Sequence, residues 1–192
     1  MRHLTAALVA TTILATSSAL AAPEERQFDR AHTLIAFTVD HLGFSTTYGA
    51  FTEFDGTLSL DQDDPSNSSV SVMIDSASVD SRDADRDGHV RSADFLDVEN
   101  NPTITFESTS VNVTGDNTAE VTGDLTILDI SNPVTLDVTL NQIGPNPFFQ
   151  TMTAGFSATA TLNRSDWGIE FGVPAIGDEI TVIIETELIQ PE

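Results

Sequence analysis

The residues of this chain best equipped for chemistry are crowded between positions 83 and 94. In Asp83-Ala-Asp-Arg-Asp-Gly-His-Val-Arg-Ser-Ala-Asp94, acids stand at positions 1, 3 and 5 of a twelve-residue window, glycine at 6, a branched apolar residue at 8 and a carboxylate at 12. This is the donor spacing of a calcium loop. Three features argue against that chemistry. Such a loop is held between two helices, whereas the preceding Val70-Ser-Val-Met-Ile-Asp75 alternates as a strand does. Asp94 is shorter than the glutamate that closes the usual site with both oxygens. Arg86 and Arg91 also bring two positive charges into the window.

His89 lies in the same stretch, and His32 and His41 lie upstream. Imidazoles can ligate metal or move protons. Here no His-x-His or His-x-x-x-His spacing occurs and there is no cysteine, so neither a metal centre nor a cofactor is expected. Gly-x-Ser-x-Gly, a phosphate loop and a dinucleotide fingerprint are also missing. Binding rather than catalysis is the expectation. Arg86 and Arg91 stand out because bases are scarce: 7 Lys+Arg, all of them arginine, face 30 Asp+Glu, for a net charge of −23. A guanidinium fork suits a diphosphate. The structural alternative is that both arginines pair with Asp83, Asp87, Asp94 or Asp97 to hold a helix. So acidic a surface repels phosphate backbones, which disfavours nucleic acid as a partner.

The elements that must position these residues are strands. Residues 1–21 are set aside first. A basic start, an apolar run from Leu4 to Leu20 and Ala19-Leu-Ala21 read as a cleavable secretory leader, which implies export to the periplasm or beyond. The run is too short and too rich in Ser and Thr for a membrane span, so the chain is not expected to be an integral membrane protein. Residues 22–192 form one domain. Beyond Phe28 the dominant signal is period-two alternation, as in Ile35/Phe37/Val39, Val70/Val72/Ile74, Val134/Leu136/Val138/Leu140 and Ile180/Val182/Ile184. About eight such runs, also including Phe54–Leu60, Ile104–Val113, Val121–Ile127 and Met152–Leu162, predict an all-β, eight-stranded antiparallel up-and-down barrel. Ser81–Leu96 lacks alternation and is expected to form a short helical segment between strands 3 and 4, with Val90, Ala93 and Phe95 on one face, over a barrel mouth. Ala154, Ala158 and Ala160 would leave space inside.

Five motifs in order resemble the YceI-like family of exported, lipocalin-like, polyisoprenoid-binding proteins. They are Phe28-Asp-Arg-Ala-His32 with Phe37-Thr-Val-Asp-His41-Leu-Gly-Phe-Ser45, Arg86 through Pro102 with Thr103–Ser108, Gly123–Asp137, Arg164-Ser-Asp-Trp-Gly168, and Gly177-Asp-Glu-Ile180. The resemblance spans residues 27–189 and implies a lipocalin-like barrel whose oily pore takes an isoprenoid or quinone-like lipid. Candidate contacts for the lipid tail are the inward apolar residues Phe37, Val39, Phe54, Phe95, Phe106, Leu125, Phe156 and Trp167. Those for its head are His41, Arg86, His89 and Arg91. A homodimer is compatible with the sequence.

Overall fold

The computed structural model describes residues 23–191, so the leader expected over residues 1–21 lies outside the described residues. Eleven strands are present: β1 Glu24–Phe28, β2 Leu34–His41, β3 Ser45–Phe51, β4 Phe54–Leu60, β5 Ser69–Asp75, β6 Val79–Asp80, β7 Thr103–Val113, β8 Thr118–Ile127, β9 Ile130–Pro145, β10 Met152–Asn163 and β11 Ile176–Ile189. One short helix, α1, spans Ala84–Val90. All pairings are antiparallel, and the β1–β11 pairing returns the sheet onto itself. Three pairs of strands act as single ribbons broken by a kink. β1 and β2 run along the same edge of β11, β4 and β3 face them from the other side, and β5 and β6 face β4 and β3. The result is a closed up-and-down barrel of eight ribbons with one helix after the third, as the alternation predicts.

Membership of the ribbons differs from the sequence reading at the front of the chain, for local reasons. β3 (Ser-Thr-Thr-Tyr-Gly-Ala-Phe) carries little apolar alternation because its inward positions include Thr47 and Gly49. Gly49 lies opposite Phe37, and a Cβ there would come within 2.4 Å of the Phe37 ring. The ring occupies the space that a side chain at position 49 would need, so the pair packs as one unit across the strands. In β1 the inward residue before Phe28 is a charged one, Arg26, which hides the strand from a hydrophobicity pattern.

Packing is concentrated at the end of the barrel nearest α1. Ile35, Phe54, Ile74, Val79, Leu96, Ile104 and Ile169 form a buried cluster there. A smaller one joins Val134, Ala160 and Trp167. Val90 and Phe95 pack on the first cluster, but Ala93 is exposed, so the expected three-residue apolar face is corrected to two. The helix ends at Val90, and a series of turns turns Ala93 outward before Phe95 and Leu96 return to the barrel.

Candidate functional site

Inward positions along the middle of the barrel are not filled. Phe37, Val39, Val72, Leu136 and Val182 point to the interior yet remain only half-buried, because they face a cavity and not one another. Its volume is about 880 Å3, at the upper end of the range for small-molecule sites. Every ribbon contributes to its wall. One mouth lies at the α1 end, where His41, Asp85, Arg86 and His89 reach it. The opposite end is bounded by Asp61, Gln62, Pro65 and the β7–β8 turn, Gly115–Thr118. Between these polar rims the wall is almost wholly aliphatic and aromatic.

Of the apolar candidates, Phe37, Val39, Phe95, Phe106, Leu125 and Phe156 line the cavity. Phe54 and Trp167 do not, and both are corrections. Phe54 is 5 % exposed and meets Phe28 edge-on at 6.0 Å within the packed cluster. Trp167 is 2 % exposed and donates its indole N–H to the Leu125 carbonyl at 3.1 Å, so its bulk fills the wall behind the cavity. Each is packed in a buried cluster, Phe54 with Ile35, Ile74 and Ile104, and Trp167 with Val134 and Ala160.

The polar candidates divide in the same way. His41 and His89 both line the α1 mouth. His89 is flanked edge-on by Phe95 and Phe171, with centroids 5.0 and 4.9 Å away, and its Nε2 lies 2.9 Å from Asp94. Arg86 lines the mouth, but its guanidinium is engaged: Nε donates to Ser81 Oγ at 2.8 Å and Nη2 to the Ser81 carbonyl at 2.6 Å. Arg91 is a correction, because it leaves the cavity. Its guanidinium donates to the carbonyls of Ala77 and Val79 on the outer side of the kinked third ribbon. Main-chain oxygens freed by the break between β5 and β6 need donors, and Arg91 supplies them. Thus both arginines hold α1 in place, through carbonyls rather than through the carboxylates the sequence suggested.

Asp83, Asp87 and Asp94 of the calcium-like window are also engaged, Asp94 with His89. Asp83 caps α1 by accepting the Arg86 N–H at 2.9 Å. Asp87 is buried and accepts from both the Ser81 N–H (2.7 Å) and the Ser81 hydroxyl (2.5 Å). The hydroxyl bond foremost, opposed by burial and helped by the Ser81 N–H and the charges of Arg91 and Arg86, holds its carboxyl below the ordinary value of 3.8. A lowered folded-state pKa contributes stability above the ordinary value and loses it as pH falls through the folded value. Asp87→Asn is therefore expected to melt at a lower temperature than wild type at pH 7. The gap should close as pH falls below about 4, read by thermal unfolding of both proteins across pH 7 to 3. A gap that stays constant with pH would show that the charge of Asp87 does not anchor the helix.

One group that sequence reasoning did not assign shapes the site. Arg164, 5 % exposed, donates to the carbonyls of Gly177 (2.8 Å), Ile169 (2.8 Å) and Ile176 (3.1 Å), and its guanidinium lies 5.8 Å from the Phe95 centroid. Ser165 adds an N–H and an O–H to Asp178 at 2.9 and 2.7 Å, and these bonds hold the Asp178 carboxyl below its usual range. Together they shape the segment that brings Phe171 to the mouth. The motifs Arg164–Gly168 and Gly177–Ile180 were the available signal, since the two ends of this clasp are two of the five sequence landmarks. Arg26 is also buried, at the β1 end, where no pattern signalled it, and it holds the Met152 carbonyl without lining the cavity. His32 is outside the cavity. Its Nδ1 bonds to Asp29 at 2.8 Å, and Asp29, His32 and Glu187 offer ligand-type atoms within 4.8 Å of one another.

Comparison with known proteins matches this arrangement to one family. Residues 27–188 match the YceI-like domain. A UPF0312 protein of Pseudomonas aeruginosa is 38% identical over 186 residues, covering 97% of this chain and 96% of its own. Among solved structures, Burkholderia cenocepacia BcnA superposes with a TM-score of 0.76 at 26% identity, over 83% of this chain and 98% of that one. A domain from Saccharophagus degradans described as polyisoprenoid binding has a TM-score of 0.65 at 13% identity, over 88% of this chain and 99% of that one. The last is a likeness of fold.

Proposed function

Since the chain belongs to the YceI-like family, we propose that it is an exported carrier that holds an isoprenoid or similar amphiphilic lipid lengthwise in the barrel. The observation that carries this reading is the cavity of about 880 Å3 with its nearly unbroken apolar wall. Burying a lipid chain there contributes about 0.8 kcal/mol per CH2. A few isoprene units therefore outweigh the cost of ordering the chain. The closed sheet pairs its own backbone groups, so the wall presents side chains and few hydrogen-bonding demands. Phe37, Val39, Phe95, Phe106, Leu125 and Phe156 are the proposed contacts of the tail.

The arginine contacts weigh against a diphosphate head at the α1 mouth. Arg86 and Arg91 are hydrogen-bonded to main-chain oxygens, which leaves His41, Asp85 and His89 as the polar groups able to meet a ligand there. A neutral or quinone-like terminus fits a −23 chain better than an anionic one. Cleavage of the leader after Ala21 would release the carrier outside the cytoplasm, and among the described residues no helix is long and apolar enough to cross a membrane.

The test is to express the full precursor, purify the processed protein, extract it with organic solvent and analyse lipid and metal by mass spectrometry. An isoprenoid at near-stoichiometric amount is expected. Stoichiometric metal without lipid would favour an enzyme at the mouth. Neither, together with a melting temperature unmoved by added geranylgeraniol, would leave a structural β-domain and remove the carrier reading.

A further inference from the structure

The β9–β10 hairpin ends in a turn that carries two adjacent phenylalanines out of the fold. Phe148 is 86 % exposed and Phe149 76 %. The turn is ordered by its own bonds. Asn146 Oδ1 accepts the Phe148 N–H at 2.9 Å and the Phe149 N–H at 3.3 Å, and the Gln150 N–H donates to the Asn146 carbonyl at 2.8 Å. The hairpin also projects. β8 begins opposite Thr139, so residues 141–145 of β9 run on past it without a β8 partner, over about 17 Å of strand. The tip stands beside an opening of the cavity. Ile143, two residues before Pro145, still lines it. At the same end Val113 and residues 115–117 both line the cavity and face solvent, which marks a mouth on the side away from α1.

Charge sets this tip apart. Residues 138–163, which include the whole turn, contain no Asp, Glu, Lys, Arg or His, in a chain with 30 acids and 7 bases. Phe44, on the β2–β3 turn at the α1 end, is as exposed, but Asp40 is bonded into that turn. Exposed apolar side chains mark contacts with a protein or a membrane. Two phenylalanines bury about 150–250 Å2 each, short of the roughly 800 Å2 per partner of a stable protein interface. A second copy would also set one net charge of −23 against another. A bilayer asks only that a few apolar groups enter its interface. We propose that Phe148 and Phe149 insert into the surface of an electrically neutral lipid bilayer and seat the adjacent barrel mouth on it, so that the hairpin is the docking point for lipid exchange. Neutrality of the bilayer follows from the charge of the chain, which anionic headgroups repel. The role in exchange rests on the carrier reading, whereas the docking stands on the hairpin itself.

The test floats the processed protein with vesicles of phosphatidylcholine, and in parallel with vesicles that also contain phosphatidylglycerol. Wild type is expected to rise with the neutral vesicles, with little dependence on salt, and to rise less with the anionic ones. Phe148→Ser combined with Phe149→Ser should lower the partition coefficient at least about tenfold. Its melting temperature and its calorimetric affinity for geranylgeraniol should stay at wild-type values, because both rings lie in solvent and outside the cavity wall. Transfer of geranylgeraniol between vesicles should slow in the same variant. Phe44→Ser should change none of these quantities. Wild type that does not float, that floats only with anionic vesicles, or that loses flotation through Phe44→Ser and not through the double variant would overturn the docking. If geranylgeraniol still binds in those cases, the carrier reading stands. Sedimentation showing a wild-type dimer that the double variant abolishes would give the tip to a second copy and overturn the proposal. Flotation that depends on the two phenylalanines, in a protein that binds no geranylgeraniol, would sustain the docking and remove the carrier reading.

Discussion

Ala158→Trp should leave a folded barrel that no longer holds lipid. Along β10 the inward residues are Ala154, Phe156, Ala158, Ala160 and Leu162, and Ala158 sits opposite Val138 on β9 and Ile184 on β11. All three of those residues line the cavity, so an indole built at 158 enters the lumen from the wall. Overpacking normally costs about 1–3 kcal/mol because neighbours must move. Here the added ring enters open space, so the loss of stability should fall at the low end. The effect on binding is large. Displacing about four carbon groups of a bound chain removes about 3 kcal/mol of burial, which is about a hundredfold in dissociation constant. Calorimetric titration with geranylgeraniol, alongside thermal unfolding, reads both quantities. Wild-type affinity in a folded Ala158→Trp protein would mean that the lipid does not occupy the lumen.

The largest loss of stability is expected from Arg164→Met. The substitution keeps most of the side-chain volume but leaves the carbonyls of Ile169, Ile176 and Gly177 without their donor. Each stranded buried group costs about 1–3 kcal/mol, and some of the three will recover water at the barrel end, so a net loss of about 3 kcal/mol is expected. That is a substantial part of the 5–15 kcal/mol typical of a whole domain. Urea denaturation measures it as a lower midpoint with an unchanged slope. Phe171, on the same segment, packs against His89 and Phe95 at the mouth, so affinity for the lipid should fall along with stability. A loss below about 1 kcal/mol would show that the segment holds its shape without the arginine.

Much of the wall was legible because alternation reports which side of a strand is apolar, and in a closed sheet that side is the interior. Phe37, Val39, Phe106, Leu125 and Phe156 follow from parity alone. Parity does not say whether an inward residue meets a cavity or another side chain, and on that point Phe54 and Trp167 went to the packed wall. Charged residues were harder still. Arg86 and Arg91 were conspicuous by their rarity, yet rarity does not show which acceptor a flexible side chain reaches. That depended on the carbonyls exposed where the third ribbon breaks. Arg26 was invisible because a lone arginine among glutamates in Glu24-Glu-Arg-Gln-Phe28 reads as a solvated strand end.

By itself the sequence determined the strand type, the ribbon count, the helical interruption and an apolar interior, since each is a local or periodic property of side chains along the chain. Only the tertiary structure decided that the interior is partly open and which acceptors the arginines reach. Those outcomes depend on volumes and hydrogen-bond partners summed over ribbons far apart in the chain, as when Arg26 on β1 reaches Met152 on β10.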